Sequence, residues 1–153
     1  MSSEGFDVVV AGGSISGLLA ARELASRGIS VIVLEEDHEI GTPEHCGGVV
    51  SLQGVNALGI LPDGNVVQNS IVNAQIRTPS SQICVNAADQ NVLVIDRRFF
   101  DKQVARQAQR EGAVIRTRCS FKSIEDYSSD SFVVRTSEGD ILCHYVVDGR
   151  GIG

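Results

Sequence analysis

Residues 6–35 read FDVVVAGGSISGLLAARELASRGISVIVLE, and this stretch decides the fold. It opens with a short valine-rich run, residues 6–11, in which no polar residues alternate. Such a run reads as a strand buried on both faces of a parallel sheet. GGSISG follows, and then LLAARELASRG, where Leu18, Ala21, Leu24 and Ala25 share one helical face and Arg22, Glu23 and Arg27 lie elsewhere. Gly28 supplies a left-handed stop for that helix. VIVLE then makes a second buried strand. Strand, turn, helix and strand in this order demand a right-handed crossover and a parallel sheet.

The turn Gly12-Gly13-Ser14-Ile15-Ser16-Gly17 follows the GxGxxG pattern with one substitution. Gly12 permits the tight turn out of the first strand, and Gly17 lets the helix pack closely on it. The middle glycine position, where the backbone of such turns approaches a pyrophosphate, is Ser14. A hydroxymethyl group fits there only if it points away from the phosphate or donates to it. A helix over residues 15–27 aims its unpaired N–H groups and positive dipole end at the phosphates. Glu35 stands about 20 residues further on, at the end of the second strand, where an acid accepts hydrogen bonds from ribose hydroxyls. An acid there disfavours a 2′-phosphate, so NADP is not expected at this site. Glycine clusters are common in turns. This one follows a strand, opens a helix and has its acid at the right distance, which is the context the fingerprint requires.

Outward from this unit the pattern is mixed. Residues 36–64 are punctuated by glycine and proline, with a short helix near 51–58. Segments 69–78 and 81–87 read as strands of a lesser sheet, separated by Pro79 and Ser80, and 92–95 as another strand. Asp96 can cap a helix to about Glu111, in which Phe100, Val104 and Ala108 recur every four residues and Gly112 is the stop. Residues 113–117 read as a third strand of the parallel sheet. Segments near 119–125, 131–136 and 140–145 alternate like a meander, and YVVDGRGIG closes the chain as a strand running into glycines. The expected class is α/β: a Rossmann-like parallel sheet, a small inserted β layer and a β meander, in one domain over 1–153.

A hydrophobic fraction of 42% against 21% charged residues is ordinary globular usage and supplies a core. The net charge of −6 argues against a nucleic-acid partner, which would need a basic face. No apolar run approaches the ~20 residues of a membrane span, and MSSEGFD lacks the character of a signal peptide, so a cytoplasmic location is expected. Cys46, Cys84, Cys119 and Cys143 form no CxxC pair, and His38, His45 and His144 share no ligand spacing. Reduced thiols and no metal site are the expectation.

Residues 7–36 resemble the FAD-binding start of the large flavoprotein family that includes para-hydroxybenzoate hydroxylase. VIDRRFFDKQVARQAQREGA, 94–113, is similar to the family segment in which an arginine, here Arg97, opens a helix beside the flavin's linker. VVDGRGI, 146–152, looks like the family's strand ending in a glycine turn near the nucleotide, with Asp148 and Gly151 matching. IGTPEHCGGVVS, 40–51, resembles the proline-to-cysteine loop of geranylgeranyl reductases, with Pro43, Cys46, Gly47 and Ser51 matching.

The resemblance implies an FAD-binding Rossmann-like fold, with residues 69–95 contributing to a partial substrate-side β layer. It implies FAD as cofactor, held by Gly12, Gly13, Ser14, Ser16, Gly17, Glu35, Glu36, Arg97, Asp148 and Gly151. It implies reduction of isoprenoid double bonds by FADH2, with Cys46 as the candidate catalytic residue. A flavin monooxygenase acting on small aromatics is the alternative, and a non-catalytic nucleotide-binding fragment or subunit the second. Family members continue well beyond this length, so the chain is expected to be a piece of a longer protein or part of a split one. The electron donor, peripheral membrane contact in the full protein and self-association stay open. So do local readings. Arg97 can be an exposed helix-start residue, although an arginine there opposes the dipole and an anion would relieve it. Asp96 reads as a cap, Cys46 as either a functional thiol or a small hydrophobe, and Cys84, Cys119 and Cys143 as packing. His45 reads as a solvated loop residue or a neighbour tuning Cys46.

Overall fold

The computed structural model describes residues 4–44, 46–86 and 88–151. In chain order the elements are β1 (Glu4–Gly5), β2 (Val8–Ala11), α1 (Ile15–Ser26), β3 (Val31–Leu34), β4 (Val49–Ser51), α2 (Leu52–Ala57), β5 (Val67–Ile71), β6 (Asn73–Arg77), β7 (Gln82–Asn86), β8 (Val92–Ile95), α3 (Arg97–Arg110), β9 (Val114–Arg116), β10 (Phe121–Ser128), β11 (Ser131–Thr136), β12 (Gly139–Cys143) and β13 (Tyr145–Asp148). They fall into two compact units, residues 1–42 with 101–153, and residues 43–100.

The first unit holds a parallel sheet in the order β13-β2-β3-β9. Every residue of β2 and β3 is buried, which is why these strands carry no polar alternation. One sheet face packs on α1, whose Leu18, Ala21 and Ala25 are buried and whose Leu24 is half-buried. Opposite lies a core of Val9, Ile32, Leu34, Cys119, Val134, Ile141 and Cys143, shared with the β10-β11-β12 meander. Gly28, at φ +79°, ends α1 as its position implies. β1 adds a parallel edge to β12, a pairing with no hydrophobic signature in two residues.

The second unit holds an antiparallel sheet, β4-β8-β5, and a hairpin of β6 and β7. Val55, Ile60, Val66, Leu93, Ile95 and Phe100 are its buried apolar residues. Ser51 caps α2 by accepting from the Gly54 amide at 3.3 Å. Asp96 Oδ1 accepts from the Phe99 amide at 3.0 Å, so it caps α3.

Three readings need correction. Segment 69–78 is two strands that break at Val72 and join different sheets, because nothing in a continuous β-prone run marks a change of partner. Cys84 is exposed, since every residue of the β6–β7 hairpin is exposed, whereas Cys119 and Cys143 are buried. The first meander strand begins at Phe121, and Cys119 lies in the link before it. Among the described residues no helix is long and apolar enough to cross a membrane.

Candidate functional site

The carboxyl ends of three parallel strands lie level, with Asp148 beside Ala11 and Ala11 beside Leu34. Immediately beyond them come Gly149, Gly12 and Glu35. In open α/β sheets ligands bind in the crevice at this end of the strands.

Three glycines let the chain close up here. Gly12 has φ +100°, and a Cβ on it would sit 2.7 Å from the carbonyl oxygen of Gly149. A Cβ on Gly17 would fall on the carbonyl oxygen of Gly12 and lie 3.2 Å from Val10 Cγ1. Gly149 approaches the Gly17 Cα, and its amide donates to Ala11 O at 2.7 Å. The sequence reading passed over Gly149. Its only signal is a glycine following a strand, and its role emerges once β13 pairs with β2.

Ser14 occupies the phosphate-approach position with its hydroxyl turned aside. The group donates to Gly149 O at 2.9 Å and shares a hydrogen bond with Ser16 Oγ at 3.0 Å. It makes no side-chain cap to α1, whose first turn contains no acid. The amide end of this 12-residue helix thus carries no cap from its own N-cap side chain and no acid in its first turn.

Glu35 is half-buried at the end of β3. Its Oε2 accepts from the Gly13 amide at 2.8 Å, and its Oε1 accepts from the Asp37 amide at 2.9 Å. A Cβ on Gly13 would lie 2.9 Å from Oε2 and would strike the end of the Ile40 side chain, so one of these side chains would have to shift. An ionised carboxylate offers about four lone-pair sites, so this clamped group can still accept from further donors. Glu36 is exposed beside it.

Asp148, singled out as a cofactor contact, is engaged within the chain. It accepts from Arg150 N at 3.1 Å, Nε at 2.9 Å and Nη2 at 2.7 Å. These hydrogen bonds hold its carboxyl down at about 2. The carboxyl is lowered in the folded chain, so its pairing contributes fully above the ordinary aspartate value of about 3.9 and is lost as pH falls through about 2. A carboxyl-carbon NMR titration should place the Asp148 midpoint near 2, and a midpoint at the ordinary value would show that the clamp is not formed in solution. The Arg150 guanidinium lies over the Phe121 ring, 4.5 Å from its centroid. Gly151 has φ +79° with open space around it.

Of the residues singled out from the sequence, Gly12, Gly13, Ser14, Ser16, Gly17, Glu35, Glu36, Asp148 and Gly151 belong to the first unit. Arg97 and Cys46 belong to the second. Arg97 is half-buried at the start of α3, and Cys46 is exposed. Two residues after Cys46, Gly48 has φ +68° and exchanges backbone contact with Ile95, whose amide donates to Gly48 O at 2.8 Å. His45 lies outside the described residues.

Parallel sheet, glycine turn, helix amide end and strand-terminal acid together define a Rossmann-like dinucleotide-binding fold. The chain belongs to the family described as lycopene cyclase protein, whose model matches residues 7–153. It is 31% identical over 138 residues to digeranylgeranylglycerophospholipid reductase 2 of Methanosphaera stadtmanae, covering 86% of this chain and 34% of that protein. A geranylgeranyl bacteriochlorophyll reductase-like protein from Thermoplasma acidophilum matches in structure with a TM-score of 0.86 and 26% identity, over 98% of this chain and 40% of the other. The p-nitrophenol 4-monooxygenase of Pseudomonas putida shares the fold at a TM-score of 0.76 and 20% identity, over 97% of this chain and 42% of that one. The chain thus spans well under half the length of these proteins.

Proposed function

We propose that this chain is the FAD-binding part of a flavin-dependent oxidoreductase that saturates isoprenoid double bonds. The observation that carries the reading is the 31% identity, over 86% of the chain, to a digeranylgeranylglycerophospholipid reductase. The first unit fits the cofactor on its own geometry. Gly12 and Gly17 stand where any side chain would collide with backbone, which keeps the turn closed. Ser14 is turned onto Gly149, and the amide end of α1 carries no side-chain cap. Gly12 to Gly17 would hold the pyrophosphate and Glu35 the adenosine ribose. Bound FAD supplies the hydride chemistry, while the protein binds, orients and excludes water. Arg97, toward the cofactor, and Cys46, toward the substrate, are assigned by the resemblance alone.

Product analysis of the complete protein tests this reading. A reduced isoprenoid gains two hydrogens for each double bond saturated, whereas a cyclised one keeps its mass, and an aromatic acid hydroxylated by a monooxygenase gains one oxygen. The expected result is reduction of a geranylgeranyl lipid by the flavin-loaded protein. An unchanged lipid with a hydroxylated aromatic acid, or a cyclised product of unchanged mass, would replace the reductase reading.

Cys46 is tested in the same assay. The loop around it is held by Gly48 against β8 and the thiol is exposed, which is compatible with a thiol that gives a proton to a substrate carbon or shapes a pocket. Cys46→Ala is expected to leave FAD content and flavin reduction intact while lowering lipid turnover about 10²-fold or more, the scale of general acid catalysis. Parental turnover in the variant would remove the catalytic assignment of Cys46.

A further inference from the structure

Arg150 follows Gly149 at the mouth of the glycine turn. Its backbone nitrogen lies 2.9 Å from where a Cβ on Gly12 would stand. Its side chain is clamped. Asp148 takes both Nε and Nη2, which fixes the orientation of the guanidinium plane and offsets its charge. The guanidinium carbon lies over the Phe121 ring, 4.5 Å from its centroid. Phe121 is itself half-buried against the core of Val9, Ile32 and Leu34, so the stack has a fixed base. The chain just before Phe121 runs beside the strand-terminal acid, with Cys119 N donating to Glu35 O at 2.8 Å and Arg118 N to Asp37 O at 2.8 Å. The side chain remains 48% exposed.

Asp148 offsets the charge of Arg150 and takes two of its five N–H donors, which weakens its attraction for a further anion. The side chain is half-exposed, and the link leading to Phe121 is hydrogen-bonded to the Glu35 backbone. Guanidinium planes stack on aromatic rings and on nucleobases. We propose that Arg150, clamped by Asp148 and backed by Phe121, is the platform on which the adenine ring of the bound nucleotide stacks. The proposal rests on the dinucleotide reading of the glycine turn. Asp148 is then a positioning residue acting through Arg150.

Calorimetry of the 153-residue chain with two probes, ADP and ribose 5-diphosphate, separates the terms. Arg150→Lys keeps the charge and removes the plane. The variant is expected to bind ADP roughly tenfold more weakly than the parent, the scale of losing one base stack. Its affinity for ribose 5-diphosphate should not change. In the ADP-bound parent, nuclear Overhauser contacts should run from adenine H2 or H8 to the Arg150 δ protons. Unchanged ADP affinity in the variant, or the absence of those contacts, overturns the stacking platform. Equal losses for both ligands would make Arg150 a phosphate contact and overturn it too. In each of those cases the dinucleotide reading survives, because the parent still binds ADP. A parent that binds neither ligand overturns both readings.

Discussion

Gly17→Val is expected to separate α1 from β2 and to abolish both ADP binding and much of the stability of the first unit. The structure makes this stronger than a bulky-residue argument. Even the first carbon of any side chain at position 17 would land on the carbonyl oxygen of Gly12, and valine would add two methyls toward Val10 Cγ1. The obstacle is backbone, so no side-chain rotation relieves it. The helix has to retreat, and its amide end leaves the strand ends with it. Overpacking of this kind costs about 1–3 kcal/mol and sometimes more. In a chain of this size each kcal/mol lowers Tm by roughly 2–4 °C. Thermal denaturation and ADP calorimetry on the soluble fraction read the two effects separately. A variant with the parental Tm and parental ADP affinity would show that the turn is an ordinary glycine loop.

Glu35→Ala is expected to weaken ADP binding roughly ten- to hundredfold, from the loss of about 1.5–3 kcal/mol typical of a hydrogen bond to a charged group. The structure adds a second consequence. The carboxylate holds the Gly13 and Asp37 amides, so the variant should also lose stability as the glycine turn and the segment after β3 come loose. The two effects are separated by a cycle with 2′-deoxy-ADP. If Glu35 holds the ribose through its 2′-hydroxyl, the parent discriminates between the two ligands and the alanine variant does not. A parent that binds both ligands equally would leave Glu35 a structural clamp of the turn and remove the ribose assignment.

Both variants test residues that were legible in the sequence, and the reasons differ from those that hid others. Gly12, Gly17 and Glu35 were readable because a tight turn from strand to helix constrains residue type at fixed spacing: backbone leaves no room for a side chain at 12 and 17, and the Gly13 and Asp37 amides select an acid. β2 and β3 were readable because burial on both faces demands an unbroken apolar run. Asp96 and Gly28 were readable because capping and left-handed backbone are local requirements. Gly149 carried no comparable signal, since its closeness to Gly12 and Gly17 is created by the pairing of β13 with β2, elements at opposite ends of the chain. Asp148 was seen as a residue near the nucleotide, but its use as a clamp on Arg150, and the placement of Arg150 on Phe121, could not be seen.

The sequence by itself determined the crossover unit of the first 36 residues, the parallel sheet it requires, the acid at the end of β3 and the cap of α3, because each follows from contacts within one element or between neighbours in the chain. Only the tertiary structure decided where β13 and β1 pair, that the run 69–78 changes sheets at Val72, that Cys84 is exposed while Cys119 and Cys143 are buried, and that Ser14 turns its hydroxyl onto Gly149. Those outcomes depend on which distant segments share a face or a carbonyl. Residue periodicity records how much of a segment is buried, and it carries no record of the partner that buries it.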